Sequence, residues 1–400
     1  SGDFSGGPQL YDPLVLTNGA RTPYAGNRIP ASEISQIAKA AAKLYPTPNL
    51  SGSSLGNYFA SLSVPENSNQ YNIRLDHRLT KNDSLYGRFS WTDDRSTGHN
   101  SPLAYNGSQG HYKGQQALMH YTHIFSPNLL NDFAAGWTYG LFSVQLLTAD
   151  HDVTTQDFGL ANLKIPSFEW GAPLLGITSV TAMGSPINIP SGGYENNYQL
   201  DDDLTWVHGS HTIRAGIEVR QYRPALYNQA TPNGNLSFDG RYTSLTATSA
   251  KVAGSPIADF ILGAPYSATA TQLITSDGLI VLHWNQWQGY LQDDWKVTPQ
   301  LTLNMGMRYV YDVPFREVHG QANVWDMGCN CFLTPGAAVN GINGLIKPDR
   351  NNFAPRFGFA YSIDQKSVIR GGAGIYYGFL RGLELSSGYG LNTHFLTSTT

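Results

Sequence analysis

Two runs of aspartates, Asp201-Asp202-Asp203 and Asp293-Asp294, are the residues of this chain whose type and spacing most suggest chemistry. Neighbouring carboxylates can serve as general acid and base, or as ligands to calcium. In a strand, however, adjacent side chains point to opposite faces, and both runs stand just ahead of a tryptophan, Trp206 or Trp295, and a short turn. A repeated structural role near the rim of a sheet is the expectation. In the phase set out below, Asp202 and Asp293 face outward, which is tolerable only at or below the level of lipid headgroups.

Other candidate groups are sparser. Cys329 and Cys331 form a lone C-x-C without the second pair of a structural zinc site, and read as a loop disulfide or an incidental pair. The 11 histidines are scattered without ligand spacing, and G-x-S-x-G, H-E-x-x-H, Walker and dinucleotide signatures are missing. No catalytic residue, metal ligand or cofactor site is assigned, and the chain is not read as an enzyme.

Charged residues instead recur at alternate positions of apolar stretches: Arg74, Asp76, Arg78, Arg88, Arg214, Glu218, Arg220, Arg308, Arg356 and Arg370. An arginine facing hydrocarbon at the midplane costs roughly 2 to 4 kcal/mol. These side chains are therefore expected to line a wet lumen or to face a polar plug. Such a surface either contacts a substrate or plug, or forms a network of opposite charges that compensate one another between neighbouring strands. The network is the expectation for any single one of them.

Leu301 to Tyr311 shows the kind of element that positions these charges. Leu301, Leu303, Met305, Met307, Tyr309 and Tyr311 fall on one face, and Thr302, Asn304, Gly306, Arg308 and Val310 on the other. This alternation recurs about ten times between Gln70 and Tyr377. The strands are joined alternately by short turns (Thr80-Lys81-Asn82-Asp83, Ser126-Pro127-Asn128, His208-Gly209-Ser210, Val297-Thr298-Pro299, Asp364-Gln365-Lys366) and by long loops at 95–115, 143–194, 223–281 and 312–353. All short turns then lie on one side and all long loops on the other. In bacterial outer-membrane barrels those sides are periplasmic and extracellular respectively. Trp91, Trp137, Trp206, Trp284, Trp287 and Trp295 fall at or near strand ends, where they are expected to form aromatic girdles.

Residues 1–69 read as a Pro/Gly/Asn-rich loop segment leading into the barrel, which takes 70–400. Ile34, Ile37, Ala38, Ala41 and Leu44 repeat at helical spacing between Pro30 and Pro46, predicting a short helix over 32–44. The loop at 223–281 is expected to hold a hairpin near Leu236 to Tyr242 and a helical piece at Pro256 to Leu262. The fold class is thus all-β: part of an antiparallel transmembrane outer-membrane β-barrel, with outer-membrane lipid as its surroundings. Composition agrees, with 14% charged residues, 12% aromatic residues and 42 glycines to punctuate many strands. A net charge of −4 speaks against nucleic acid as a partner. No run of eighteen apolar residues exists, which excludes a transmembrane helix and leaves a barrel open.

Three stretches carry a family resemblance: NQYNIRLDHRLTKNDSLYGRFSWTDD at Asn69 to Asp94, YLQDDWKVTPQLTLNMGMRY at Tyr290 to Tyr309, and NNFAPRFGFAY followed by SVIRGGAGIYYG at Asn351 to Gly378. They resemble the barrel of TonB-dependent receptors of the Oar-like, acidobacterial kind. The opening GDFSG, with RTPYAGNRIPASEIS and LYPTPN, is similar to the segment such proteins carry ahead of those strands. The resemblance implies a signal peptide, an N-terminal β-sandwich, a plug and a barrel of about twenty-two strands. It also implies partnership with the plug and, through a region not seen here, with a TonB-type energy-transducing protein. Ser1 opens without a leader and Thr400 falls in an unpunctuated stretch, so the chain is expected to be a middle piece of such a barrel, whose function is energy-coupled uptake of a large or scarce solute such as an oligosaccharide. Tyr105, Tyr112, Trp170, Tyr194 and Tyr227 would stack on sugars or pin loops to one another, the latter being expected. The rival readings are a surface adhesin or assembly protein anchored by the barrel, and a secreted β-rich glycoside hydrolase, which the apolar outer stripes disfavour.

Overall fold

The computed structural model describes residues 2–17, 20–51, 56–99, 101, 103, 106–147, 151–163, 165–228, 230–246, 254–272, 279–318, 324–326, 328–333, 348–378 and 394–398. Tyr105 lies outside them. Tyr11–Thr17 (β1) and Ala20–Pro23 (β2) form a small hairpin ahead of helix α1 (Gln36–Ala42). The main sheet follows, in the order β3 (Glu66–Arg78), β4 (Asp83–His99), β5 (Gly107–Ser126), β6 (Leu129–Leu146), β8 (Ser191–His208), β9 (His211–Asn228), β12 (Ile280–Lys296), β13 (Leu301–Asp312), β17 (Phe353–Ser362) and β18 (Val368–Gly374). The loops between these strands hold β7 (Leu174–Ile177), β10 (Asn235–Phe238), β11 (Ser267–Gln272), β14 (Arg316–Glu317), β15 (Val324–Asp326) and β16 (Cys331–Leu333), and β19 (His394–Ser398) comes last. Every neighbouring pair of the main sheet is antiparallel, and β3 and β18 do not pair with each other, so the sheet is open. Among the described residues no helix is long and apolar enough to cross a membrane.

The alternation read in the sequence sets the two faces. Opposite partners Leu75, Gly87, Met119, Ala135, Leu200, Val219, Trp287 and Tyr311 form one continuous row across eight strands, all on the same face. Leu75, Leu200, Ile217, Leu291 and Phe357 are at least 50% exposed there. So large an apolar surface suits hydrocarbon and not water. The strands overshoot their expected ranges: β5 runs 20 residues, because Gly107 to Gln115 is polar on both faces and carries no apolar stripe to mark it. Four of the five short turns share one device, a side-chain oxygen that accepts a backbone N–H two residues on, and the fifth turns on Gly209 at φ 59°. Thr80 Oγ1 accepts from Asn82 N at 3.1 Å, Ser126 Oγ from Asn128 N at 3.3 Å, Thr298 Oγ1 from Gln300 N at 3.2 Å and Asp364 Oδ1 from Lys366 N at 2.7 Å.

At the other end the long loops build a second body with its own core. Ala38 and Ala41 of α1, Leu103, Val153, Phe158, Leu175, Met183, Leu236, Phe238 and Phe260 are buried together. Its sheet runs β19-β11-β10-β7, with β10 parallel to β7. Helix α2 (Val153–Gln156) enters this core through Val153, helix α3 (Pro256–Leu262) packs on α1, and Ser35 N donates to Ile261 O at 2.8 Å. The helical piece at 256–262 therefore forms as expected. The helix expected over 32–44 forms within that span but does not fill it: Ala31–Glu33 is a separate 3-10 turn, and α1 starts only after Ser35, whose hydroxyl accepts from Ala38 N at 3.2 Å and caps it. Nor is there a hairpin at 236–242. β10 pairs instead with β7 and β11 from elsewhere in the chain, and Asp239 to Thr246 bends away. Asp259 holds that bend, accepting from Tyr242 N (3.1 Å), Thr243 N (2.8 Å) and Thr243 Oγ1 (2.7 Å). Burial pushes its carboxyl up, against the pull of those donors.

Candidate functional site

The charged residues singled out from the sequence share the polar face of the main sheet, opposite the apolar rows. Two networks organise them. Across β3 to β6, Arg74 Nη2 pairs with Asp76 Oδ1 at 2.6 Å and its guanidinium lies 3.8 Å from the Tyr86 ring centroid. Tyr86 stacks on His120 at 4.9 Å, and His120 Nε2 stands 3.8 Å from Asp132, which accepts from Thr122 Oγ1 at 2.6 Å. The ion pair thus closes within β3, and the aromatic rings carry the contact on across β4 and β5 to Asp132 of β6.

The second network spans β8 to β13. Glu218 lies between Arg220, with which it pairs closely, and Arg308, 3.7 Å away. Arg308 also donates to Gln288. Gln199 Nε2 donates to Asp201 at 2.8 Å, Tyr290 Oη to Asp203 at 2.7 Å, and Arg214 reaches Asp294 at 3.3 Å, where Asn304 Nδ2 donates at 2.6 Å. Gly216 makes the Tyr290 contact possible: a β-carbon there would overlap both Asp203 Oδ1 and the tyrosine ring. Among the described residues Arg88 donates to Ser90 Oγ (3.2 Å), Arg356 lies 4.7 Å from the Tyr376 ring, and Arg78 and Arg370 have no ion pair.

Sequence reasoning found the cations and two of their acidic partners, Asp76 and Glu218, and missed Asp294. The alternation that sends Asp202 and Asp293 outward sends Asp201, Asp203 and Asp294 to the polar face, where they do more than mark a rim. Asp202 and Asp293 do face outward, and each has a polar partner on a neighbouring strand. Asn131 Nδ2 reaches Asp202 at 2.6 Å, and His211 Nδ1 stands 2.7 Å from Asp293 with its ring stacked on Trp295. Trp284 corrects the girdle assignment. It lies on the polar face, stacked on Tyr222 at 4.9 Å, because it is even-numbered on a strand whose apolar positions are odd. Tyr112, Tyr194 and Tyr227 sit in strands, not loops; Trp170 Nε1 donates to Ile165 O at 3.2 Å within the loop body, and Tyr227 packs edge-on against Phe168 from the end of β9. Cys329 and Cys331 are disulfide-bonded to each other.

Between the two networks the polar face holds a neutral depression of about 260 Å³, lined by Gln116, Thr138, Asn197 and Gln199 and bounded by Asp201 and Arg220. Gly136 gives it depth, and the buried Asn197 Oδ1 has no hydrogen-bond partner among the described residues. A second depression of about 170 Å³ brings Arg220, Arg308 and Arg356 together with Gln286 and Asp312.

An open antiparallel sheet with one apolar and one charged face is the architecture of an outer-membrane barrel wall. The sequence profile of the outer membrane beta barrel domain matches residues 1–400. The chain belongs to that family, and its place is the outer membrane. Among solved structures it is similar to the ferripyoverdine receptor of the outer membrane of Pseudomonas aeruginosa bound to ferripyoverdine (12% identity, TM-score 0.46, 77% of this chain and 35% of that one). It is also similar to the alcaligin outer-membrane receptor FauA from Bordetella pertussis (10%, 0.43, 75% and 34%) and to the outer-membrane transporter YddB from Escherichia coli (14%, 0.35, 96% and 45%). The chain spans between a third and a half of the length of these proteins. No curated protein sequence matches it.

Proposed function

We propose that residues 70–400 form part of the barrel of a TonB-dependent receptor of the Oar-like kind, with 1–69 as a lead-in segment, and that the intact protein takes up a large polar solute. The observation that carries this reading is the polar face. It spends its charges on internal compensation and leaves a neutral, amide-lined depression between the two networks. In this reading Arg74, Asp76, Arg78, Arg88, Arg214, Glu218, Arg220, Arg308, Arg356 and Arg370 line the lumen. The less engaged cations Arg78, Arg88 and Arg370 are the ones available to a plug. Short turns face the periplasm and the loop body faces outside. Gln116, Thr138, Asn197 and Gln199 offer paired donors and acceptors at a neutral surface, which suits the hydroxyls of an oligosaccharide better than a charged ligand. The D-D-W-K-V-T-P run at Asp293 to Pro299 supports the family assignment.

Uptake by whole cells tests the reading. Cells carrying the protein are expected to accumulate a labelled oligosaccharide mixture, and to lose that accumulation when the gene is deleted or the proton-motive force is collapsed. Loss of surface attachment with uptake unchanged would instead establish the barrel as an anchor.

A further inference from the structure

The apolar face of β3 to β6 carries a sequence of chemistries along the strands. Ile73, Phe89 and Ala117 form an apolar row, followed towards the long-loop end by Tyr71, Trp91, Gln115 and Tyr139, with Tyr71 and Trp91 at 5.3 Å. Next come Asp93 and Lys113, opposite each other. Beyond these lies a polar depression of about 260 Å³, lined by Asn67, Arg95, Gln109, His111, Ser143 and Gln145. Arg95 Nε and His111 Nε2 both reach Asp93 Oδ1, at 3.3 and 2.9 Å, and Arg95 is 67% exposed. That order, hydrocarbon side chains, amphipathic rings, then charges, is the depth profile of a leaflet ending at its headgroups.

Charge on this face is polarised. Within the eleven-stranded sheet its lysines and arginines are Arg95, Lys113, Arg223 and Arg316, the last on β14 opposite His283, all near the long-loop end, whereas the short-turn half carries Asp83, Asp202 and Asp293. Arg223 is engaged locally with Trp284 O and Asn285 Oδ1. Asp93 is held by Arg95 and His111, and Lys113 stands across from it on β5, so the two basic side chains outnumber the one carboxylate and leave a surplus of positive charge beside the depression.

We propose that this depression binds the phosphorylated headgroup of an outer-leaflet glycolipid, with Arg95 and Lys113 holding the phosphate and Asn67, Gln109 and Gln145 meeting the sugar. The proposal rests on the reading that the long-loop end faces outside. Arginine and lysine are the natural phosphate partners, and side-chain amides with a hydroxyl at Ser143 match a glycan backbone.

The test uses the protein purified from outer membranes in detergent, with native mass spectrometry of binding to diphosphoryl lipid A, dephosphorylated lipid A and phosphatidylethanolamine. The diphosphoryl form is expected to bind about tenfold more tightly than either other lipid. Arg95→Gln with Lys113→Gln is expected to erase that preference, Lys113→Arg to keep it, and Lys366→Gln, in a short turn, to leave it unchanged; heat-modifiable migration checks that each variant is folded. Equal binding of the three lipids, or an unaltered preference in the double variant, would overturn the site. Displacement by millimolar inorganic phosphate would replace the lipid by a free anion. Orientation is read separately with an impermeant maleimide on whole cells, where Ser101→Cys is expected to label and Lys81→Cys to stay protected. The reverse pattern would overturn the orientation, and the lipid assignment with it.

Discussion

Glu169 shows how one residue can tie the loop body to pH. It ends the 3-10 turn Ser167–Glu169, is 1% exposed, and its Oε1 has no hydrogen-bond partner among the described residues. Burial pushes its carboxyl up from 4.5 to about 7. Between those values the folded state keeps a proton that the unfolded state has lost, so stability is full below the window and falls as pH rises through it, by up to about 3 kcal/mol. Glu169→Gln is expected to abolish that slope and to make the loop body more resistant at neutral pH. Hydrogen-exchange protection across 165–190, compared between variant and parent from acid to neutral pH, checks this; parallel profiles would show that Glu169 does not control the loop body. Nothing in the sequence marks this residue, since Glu169 stands among Ser, Phe and Trp in a stretch without periodicity, and burial there is decided by segments far away.

At the scale of elements, Asp259 does the work of a staple. Placed in the first turn of α3, it accepts from two backbone amides and the hydroxyl of Thr243. Asp259→Ala leaves these donors buried without a partner, at a cost on the order of 1 to 3 kcal/mol each for those that water does not reach. Proteolysis within 239–263 is expected to accelerate, while the main sheet keeps its heat-modifiable migration; an unchanged cleavage rate would contradict the staple. The contrast with the strands explains what was legible. A strand pairing with its sequence neighbour writes its burial as a period of two, so the ten strands of the wall and their turns could be read directly. The parallel pair β7 and β10 joins Leu174–Ile177 to Asn235–Phe238 across two barrel strands, and four-residue strands leave no period to count. The same rule explains the site. Isolated arginines among apolar residues stood out, but Asp201 and Asp203 were hidden by the outward Asp202 between them.

For the molecule as a whole, the main sheet ends in two unpaired edges. β3 is exposed along all its 13 residues and β18 along all 7, and in hydrocarbon such edges must be paired or covered. The loop body, by contrast, gathers a core from segments far apart in the chain. Its core takes α1 from ahead of the first barrel strand, Leu103 from the first long loop, Phe158 and Leu175 from the second, and Leu236 and Phe260 from the third. Arg21 donates to Arg241 O and Ser244 O across 220 and 223 residues of chain. Closing loops of that length ahead of any sheet would be entropically costly, whereas strand pairing shortens them one hairpin at a time. The loop body is therefore a late folding event, gated by completion of the wall up to β12. Pulse-labelled hydrogen exchange during refolding is expected to protect β4 to β9 before α1 and α3; simultaneous protection would mean that the two bodies nucleate independently.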